Sequence, residues 1–215
     1  VDPYVIRGDS TSGLLWGIGT GQLAPIGSGD KKVQAYNYRI CLTNDPANRI
    51  AITQPDDYQP ARYELLLRLF EKRPPRTLRD FMTVSLMPNN KTDINNKGAF
   101  STDAIGMNWD YPDADYAKRA EILAAHTAYT KGFLYFVGND PRVPEHIRLQ
   151  MKEWGYPKDE YTDSEHWTPQ LYIREARRMI GAYVMTQANC EGAIPVHDGI
   201  AAGAYAMDSH NTQRI

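Results

Sequence analysis

The sequence predicts an α+β fold, predominantly helical with a small antiparallel sheet. Three observations point there. Residues 33–42 and 81–87 read as strands, the first alternating apolar and polar side chains with a period of two. Four longer stretches, at about 61–72, 113–137, 144–154 and 169–186, carry helical stripes, or acids or prolines where a helix begins. The composition is that of a packed chain: 42% of 215 residues are hydrophobic and 23% charged. A chain of this length buries about 70% of its unfolded surface, enough for a core.

Residues 1–30 hold seven glycines and two prolines and read as a loop-rich lead-in to one globular domain over 31–215. In the 33–42 strand, Tyr36, Tyr38, Ile40 and Leu42 share an apolar face, and Asn37, Arg39 and Cys41 share a polar one. The Pro- and Asp-rich stretch 43–60 is loop. In the 61–72 helix, Tyr63, Leu66, Leu67 and Phe70 form the stripe. Glu64 sits one turn before Arg68, and Pro74–Pro75 stops the helix. Residues 81–87 form a second strand, and 88–112 a polar loop with two Asn-Asn pairs.

The longest helix starts near Asp113 and Asp115, whose charges suit its N-terminal dipole. Ala117, Ala120, Ala124 and Ala128 give it a small-residue face for close packing, and Gly138–Asn139 cap its end. Pro144 opens the next helix. The final helix, 169–186, carries Arg174, Arg177 and Arg178, with Gly181 on nearly the face of Arg174. The tail from Asn189 is Gly- and Ala-rich, and 205–215 is a candidate third strand.

Several function classes are excluded or weakened. The formal net charge is −2 with no long basic run, so no nucleic-acid partner is expected. No apolar run approaches the roughly 18 residues of a membrane span. Cys41 and Cys190 allow one disulfide, but neither a disulfide framework nor a CxxC zinc site. No signal peptide opens the chain. The Val1 start and the strand-like last residues are those expected of a chain cut from something longer, or of a processed or tag-cleaved complete protein. Fourteen tyrosines suit a carbohydrate or small-molecule pocket, and equally a core or rim.

No short motif decides the chemistry. Gly17-Ile18-Gly19-Thr20-Gly21 has the outline of a dinucleotide fingerprint. It has Gln22 in the third-glycine region, no strand before it and no helix after it. Gly8-Asp9-Ser10 has the residues of a protease serine without a geometry. Arg7-Gly8-Asp9 is a common chance tripeptide, and Asn90-Lys91-Thr92 is a glycosylation sequon. The arginines of 169–186 fit an anionic or hydroxylated ligand, or a solvated face with Glu175 pairing to Arg178. Asp208-Ser209-His210-Asn211 offers an acid or base at His210. His166-Trp167 reads as a stacking platform or a helix-entry staple.

Five segments taken together resemble one family: QAYNYRICLTNDPAN (34–48), KTDINNKGAFSTDAIGMNWDYPDADY (91–116), LYFVGNDPRVP (134–144), HWTPQLYIREARRMIGAYVMTQ (166–187) and YAMDSHNTQRI (205–215). The family is the bacterial FAD-dependent oxidoreductases, some of whose members are labelled xanthan lyase, and the resemblance covers most of the chain. It implies the middle, substrate-side region of a flavoprotein whose flavin-binding segments lie on either side and are absent from this sequence. FAD is then the cofactor of the full-length parent, with none bound by this chain, because the pyrophosphate cradle is missing. The partners implied are the flavin-binding domain of the same protein and a small, hydroxylated substrate, in the bacterial cytoplasm or periplasm. The resemblance makes His210 the catalytic candidate and Arg174, Arg178, Asn37 and Arg39 the substrate-binding ones. Within the last helix, Arg174 and Arg178 share the ligand-facing side, and Arg177 spreads sideways. The competing reading is a stand-alone carbohydrate-binding or polysaccharide-lyase module without a redox role.

Overall fold

A computed structural model describes residues 1–25, 27–177, 179–206 and 208–215. In chain order the elements are β1 (Asn37–Tyr38), β2 (Arg49–Ile50), α1 (Glu64–Lys72), β3 (Met82–Met87) and β4 (Lys91–Asn96), then α2 (Tyr116–Asn139), α3 (Glu145–Lys152), β5 (Tyr156–Pro157), β6 (Leu171–Tyr172) and α4 (Gln187–Cys190). The fold is α+β, with helix at 26% and strand at 12%, so long irregular segments rather than helices make up most of it.

Three antiparallel pairs build the sheet structure: β1 with β6, β2 with β5, and the β3–β4 hairpin. Asn37 lies opposite Tyr172, and Tyr38 opposite Leu171. Single bridges from Ile40 to Ile94 and from Thr43 to Lys91 tie the segment after β1 to β4. The predicted alternation governs this segment even where strand pairing is incomplete. Tyr36, Tyr38, Ile40 and Leu42 are all buried, while Arg39 and Cys41 are partly exposed. Asn37 breaks the pattern, being buried on the polar face.

The first helix follows expectation. A 3₁₀ turn at Pro60–Tyr63 leads into α1, and Glu64 lies 3.7 Å from Arg68 one turn on. Arg68 is itself buried, because its guanidinium donates to the carbonyls of Asp2, Tyr4 and Val5 and so ties the lead-in to the core. The longest helix is found, but with another face inward. Asp115 caps α2 by accepting from the Lys118 N–H. Ala117, Ala120 and Ala124 are exposed, and His126, Tyr129, Phe133 and Phe136 are buried. Aromatic burial outweighs alanine close packing, since each ring removes far more apolar area from water. Tyr63, Phe81, Phe100, Tyr129, Phe133 and Phe136 form one ring cluster with centroid separations of 5.0 to 6.4 Å. Gly138 does not cap α2; it lies inside the helix, where Met151 of α3 packs close to it.

Three expectations are corrected. The 88–112 region is not all loop: Lys91–Asn96 is β4, its inward Thr92 and Ile94 being buried. Asn89 and Asn90 make the hairpin turn with φ of 61° and 55°, values that asparagine tolerates better than most residues. The 169–186 helix does not form: Leu171–Tyr172 is strand β6, and the described residues from Ile173 to Met185 are non-helical. Pairing with β1 fixes an extended backbone there, and cross-strand bonds override local helix propensity. The tail at 205–215 forms no strand among its described residues. It is held by single bonds, Ala35 N–H to the Asn211 carbonyl at 3.2 Å and Gly19 N–H to that of Arg214 at 2.8 Å. Cys41 and Cys190 are both free thiols.

Candidate functional site

The β1–β6 pairing and the β4 strand bring widely separated polar residues together. Asn37, on β1, donates from Nδ2 to Asn95 Oδ1 on β4 at 2.7 Å. Arg174, just past β6, donates from Nη1 to the Ala35 carbonyl at 2.8 Å. From Nη2 it reaches Asn95 Oδ1 at 3.3 Å and Asn96 Oδ1 at 3.2 Å. Its Nη1 also lies 3.2 Å from Asp103 Oδ1. The other oxygen of Asp103 is 2.8 Å from His210 Nδ1. His210 is anchored further by its backbone N–H, which donates to Gln34 Oε1 at 2.7 Å. Its remaining nitrogen, Nε2, stands 3.2 Å from Asp208 Oδ1.

His210, Asp103, Arg174, Asn95 and Asn37 therefore form one connected chain. Arg39 flanks it, with its guanidinium doubly bonded to the Asp93 carboxylate, Nε to Oδ1 at 2.8 Å. Arg39 and Arg174 both lie over the Tyr172 ring, at 5.7 and 5.2 Å from its centroid. Arg178 lies outside the described residues, so its placement on a shared helical face with Arg174 is not described. Arg177 is exposed and pairs with Asp113 at 3.0 Å.

Burial grades this chain from closed to open. The Asp103 and Arg174 side chains are 5% and 8% exposed, His210 13%, and Asp208 68%. Burial pushes the Asp103 carboxyl up, and Arg174 and His210 pull it back. Burial likewise lowers Arg174, opposed by Asp103. An arginine stays charged throughout, so Asp103 is its counter-charge. With Asp103 as the acceptor at Nδ1, that nitrogen carries a proton, and Nε2 is turned toward the exposed carboxylate of Asp208. Arg39 and Asp93, with Cys41 and Lys91, line an adjoining cavity of about 380 Å³ that Arg174 and His210 do not line.

The glycine loop does not make a dinucleotide cradle. Gly17 and Gly19 pack on the chain's own tail: a Cβ on Gly17 would meet Arg214 Nη1 at 3.1 Å. Among the described residues no helix starts after this loop until the turn at Pro60, so the strand–loop–helix order of a dinucleotide cradle is missing. Asp9 is spent capping the short 3₁₀ turn at Ser10–Ser12, and Arg7 pairs with Glu71. Trp167 is no helix-entry staple, since β6 follows it; its ring packs edge-on against Tyr38 and Tyr156. The described residues hold no cluster of three or more His, Cys, Asp or Glu able to grip a metal. No helix among them is long and apolar enough to cross a membrane.

A family model described as FAD dependent oxidoreductase matches residues 6–215. The chain belongs to that family. No curated protein and no solved structure matches it. Family membership supports redox-related function and FAD as the cofactor of the family. The flavin's pyrophosphate finds no cradle in the residues described above, so no step through the flavin is derived from them.

Sequence reasoning missed Asp103, the residue that joins His210 to Arg174. Asp93 and Asn95 also escape it, because β4 is mostly polar and has the composition of a loop. A single acid between Phe100 and Ala104-Ile105 was the one available signal, since an acid flanked by core residues needs a buried partner.

Proposed function

We propose that this chain is the substrate-side part of an FAD-dependent oxidoreductase and that it binds and deprotonates a small, hydroxylated, uncharged substrate. The observation that carries the reading is the His210–Asp103–Arg174 chain. Asp103 holds the Nδ1 proton of His210, and Nε2 faces the exposed Asp208 carboxylate, so in this reading a substrate hydroxyl displaces Asp208 and gives its proton to Nε2 of the neutral ring. Arg174, fixed by Asn95, Asn96 and the Ala35 carbonyl, walls the site. Arg39 and Arg174 each have a carboxylate partner, so neither offers an unmatched positive charge to an anion. Hydroxyl groups, which both donate and accept, suit such a rim of amides, carboxylates and imidazole.

The flavin-binding part of the same protein is the partner in this reading. Met179, Ile180, Tyr183, Ile200 and Tyr205 are each at least 60% exposed, an apolar stretch suited to cover by a second domain. Residues 1–215 alone bind no FAD in this account. A fluorescence titration with FAD tests that: the chain gives no saturable response, whereas the full-length protein binds one flavin. Stoichiometric micromolar binding by residues 1–215 contradicts the assignment of the flavin to another part of the protein.

A further inference from the structure

A second concavity lies where α1 meets the turn before β3. Its volume is about 340 Å³, at the lower end of the range for small-molecule sites. The floor is apolar. Leu66, Phe70, Phe81 and Phe100 are all buried core residues, and the Phe70 and Phe81 rings meet at 5.0 Å. The rim is cationic: Arg73, Arg76 and Lys97 line it together with one carboxylate, Asp80.

That carboxylate forms no ion pair with either arginine, although the charges of Arg76 and Lys97 act on it. Asp80 accepts from the backbone N–H groups of Arg76 and Thr77 at 2.7 and 3.1 Å, closing the capping box of the turn at Leu78–Asp80. Those bonds hold its carboxyl below the usual range, so it is ionised but already engaged. Lys97 donates to the Arg79 carbonyl at 2.6 Å. The guanidinium groups of Arg73 and Arg76 have no hydrogen-bond or ion-pair partner among the described residues. Two open forks above an aromatic floor are the complement of a molecule with an apolar body and a carboxylate head. None of His210, Asp103, Arg174, Asn37 or Arg39 lines this concavity.

The geometry points to a second, accessory binding site here, for a small free aromatic or alkyl monocarboxylate. Its body rests on Phe70, Phe81 and Phe100, and its head is taken by Arg73 and Arg76. The inference does not depend on the substrate reading above. It predicts an organic acid as a ligand of this chain, bound more tightly than neutral compounds of the same shape.

The test is a ¹H–¹⁵N NMR titration of residues 1–215 with 4-phenylbutyrate, its neutral amide, and acetate. The expected result is saturable shifts at amides of residues 66–81 and 97–100 with phenylbutyrate. The amide should bind about fivefold more weakly, and acetate should give no saturation at these residues. Arg73→Gln with Arg76→Gln, both exposed and so compatible with folding, should weaken phenylbutyrate binding about tenfold. Unchanged thermal melting of that variant separates lost binding from lost fold. The inference is overturned if phenylbutyrate does not saturate these residues, if the amide binds equally well, or if the double variant binds as the parent does.

Discussion

Replacing Asp103 with asparagine isolates the interaction on which the candidate site depends. The Arg174 guanidinium is 8% exposed, and Asp103 is its one carboxylate within ion-pair range among the described residues. Asparagine keeps the shape but strands a buried cation. Breaking a buried pair by removing one partner costs about 3 to 5 kcal/mol, most of it the penalty of the charge left behind. His210 and solvent at the open edge temper that, so Asp103→Asn is expected to cost about 3 kcal/mol. In a domain of this size each kcal/mol lowers Tm by roughly 2–4 °C, which puts the fall at roughly 6–12 °C. Burial already pushes the Asp103 carboxyl up, so the loss comes from Arg174 rather than from any intrinsic gain of the carboxylate. Arg174→Met in the same background should therefore recover at least half of it. Urea unfolding of the two single variants and the double variant gives the coupling directly. A single-variant cost below about 0.5 kcal/mol, or no recovery in the double variant, refutes the buried-pair argument.

Other residues give equally direct expectations. His126 of α2 donates from Nδ1 to the Ile122 carbonyl at 2.8 Å, while its Nε2 is buried without a partner, and burial lowers its pKa from 6.5 to about 4. The neutral ring is the folded form, so its contribution is complete above pH 6.5 and lost as pH falls toward 4, by about 3 kcal/mol in all. His126→Leu should flatten that part of the stability-versus-pH curve in urea titrations, and an unchanged slope would show that another group titrates there. Gly155 exchanges backbone bonds with Thr43, and a Cβ on it would overlap the Ile50 carbonyl. Gly155→Ala should thus cost about 3 kcal/mol, and a neutral melt would mean the β2–β5 pair yields easily.

The sequence disclosed those parts of the fold in which one local period dominates. The alternation from Tyr36 to Leu42 and the Tyr63–Phe70 stripe both pack as their spacing implies, because each residue's fate depends on neighbours a few positions away. The 169–186 stretch misled for the opposite reason. Its Arg-, Ala- and Met-rich pattern favours a helix, but Leu171 and Tyr172 are claimed by β1, more than a hundred residues earlier. β4 was hidden because Thr92 and Ile94 are its only buried side chains and its other residues are polar. Its turn is set by left-handed Asn89 and Asn90 rather than by the usual Asn-Gly. At the site, polar residue types and family resemblance point to Asn37, Arg39, Arg174, Arg178 and His210; the fold joins Asn37, Arg174 and His210 in one network with Arg39 flanking it, and Arg178 lies outside the described residues. Asp103, which joins His210 to Arg174, is marked locally only by its place among core residues, and its partners lie 71 and 107 residues along the chain.

We propose that His210, held by Asp103 beside Arg174, faces the substrate of a flavin enzyme. This is tested most directly with the full-length, FAD-loaded protein. Under anaerobic conditions a panel of polyols, aldoses and hydroxy acids is mixed with it, and the loss of the oxidised flavin's visible absorbance is followed. The account predicts that at least one uncharged member of the panel bleaches the flavin. His210→Gln should slow that bleaching at least about a hundredfold, the usual worth of a positioned base, with FAD content and melting temperature unchanged. Bleaching by His210→Gln at the parent's rate, or by charged hydroxy acids alone, would contradict it.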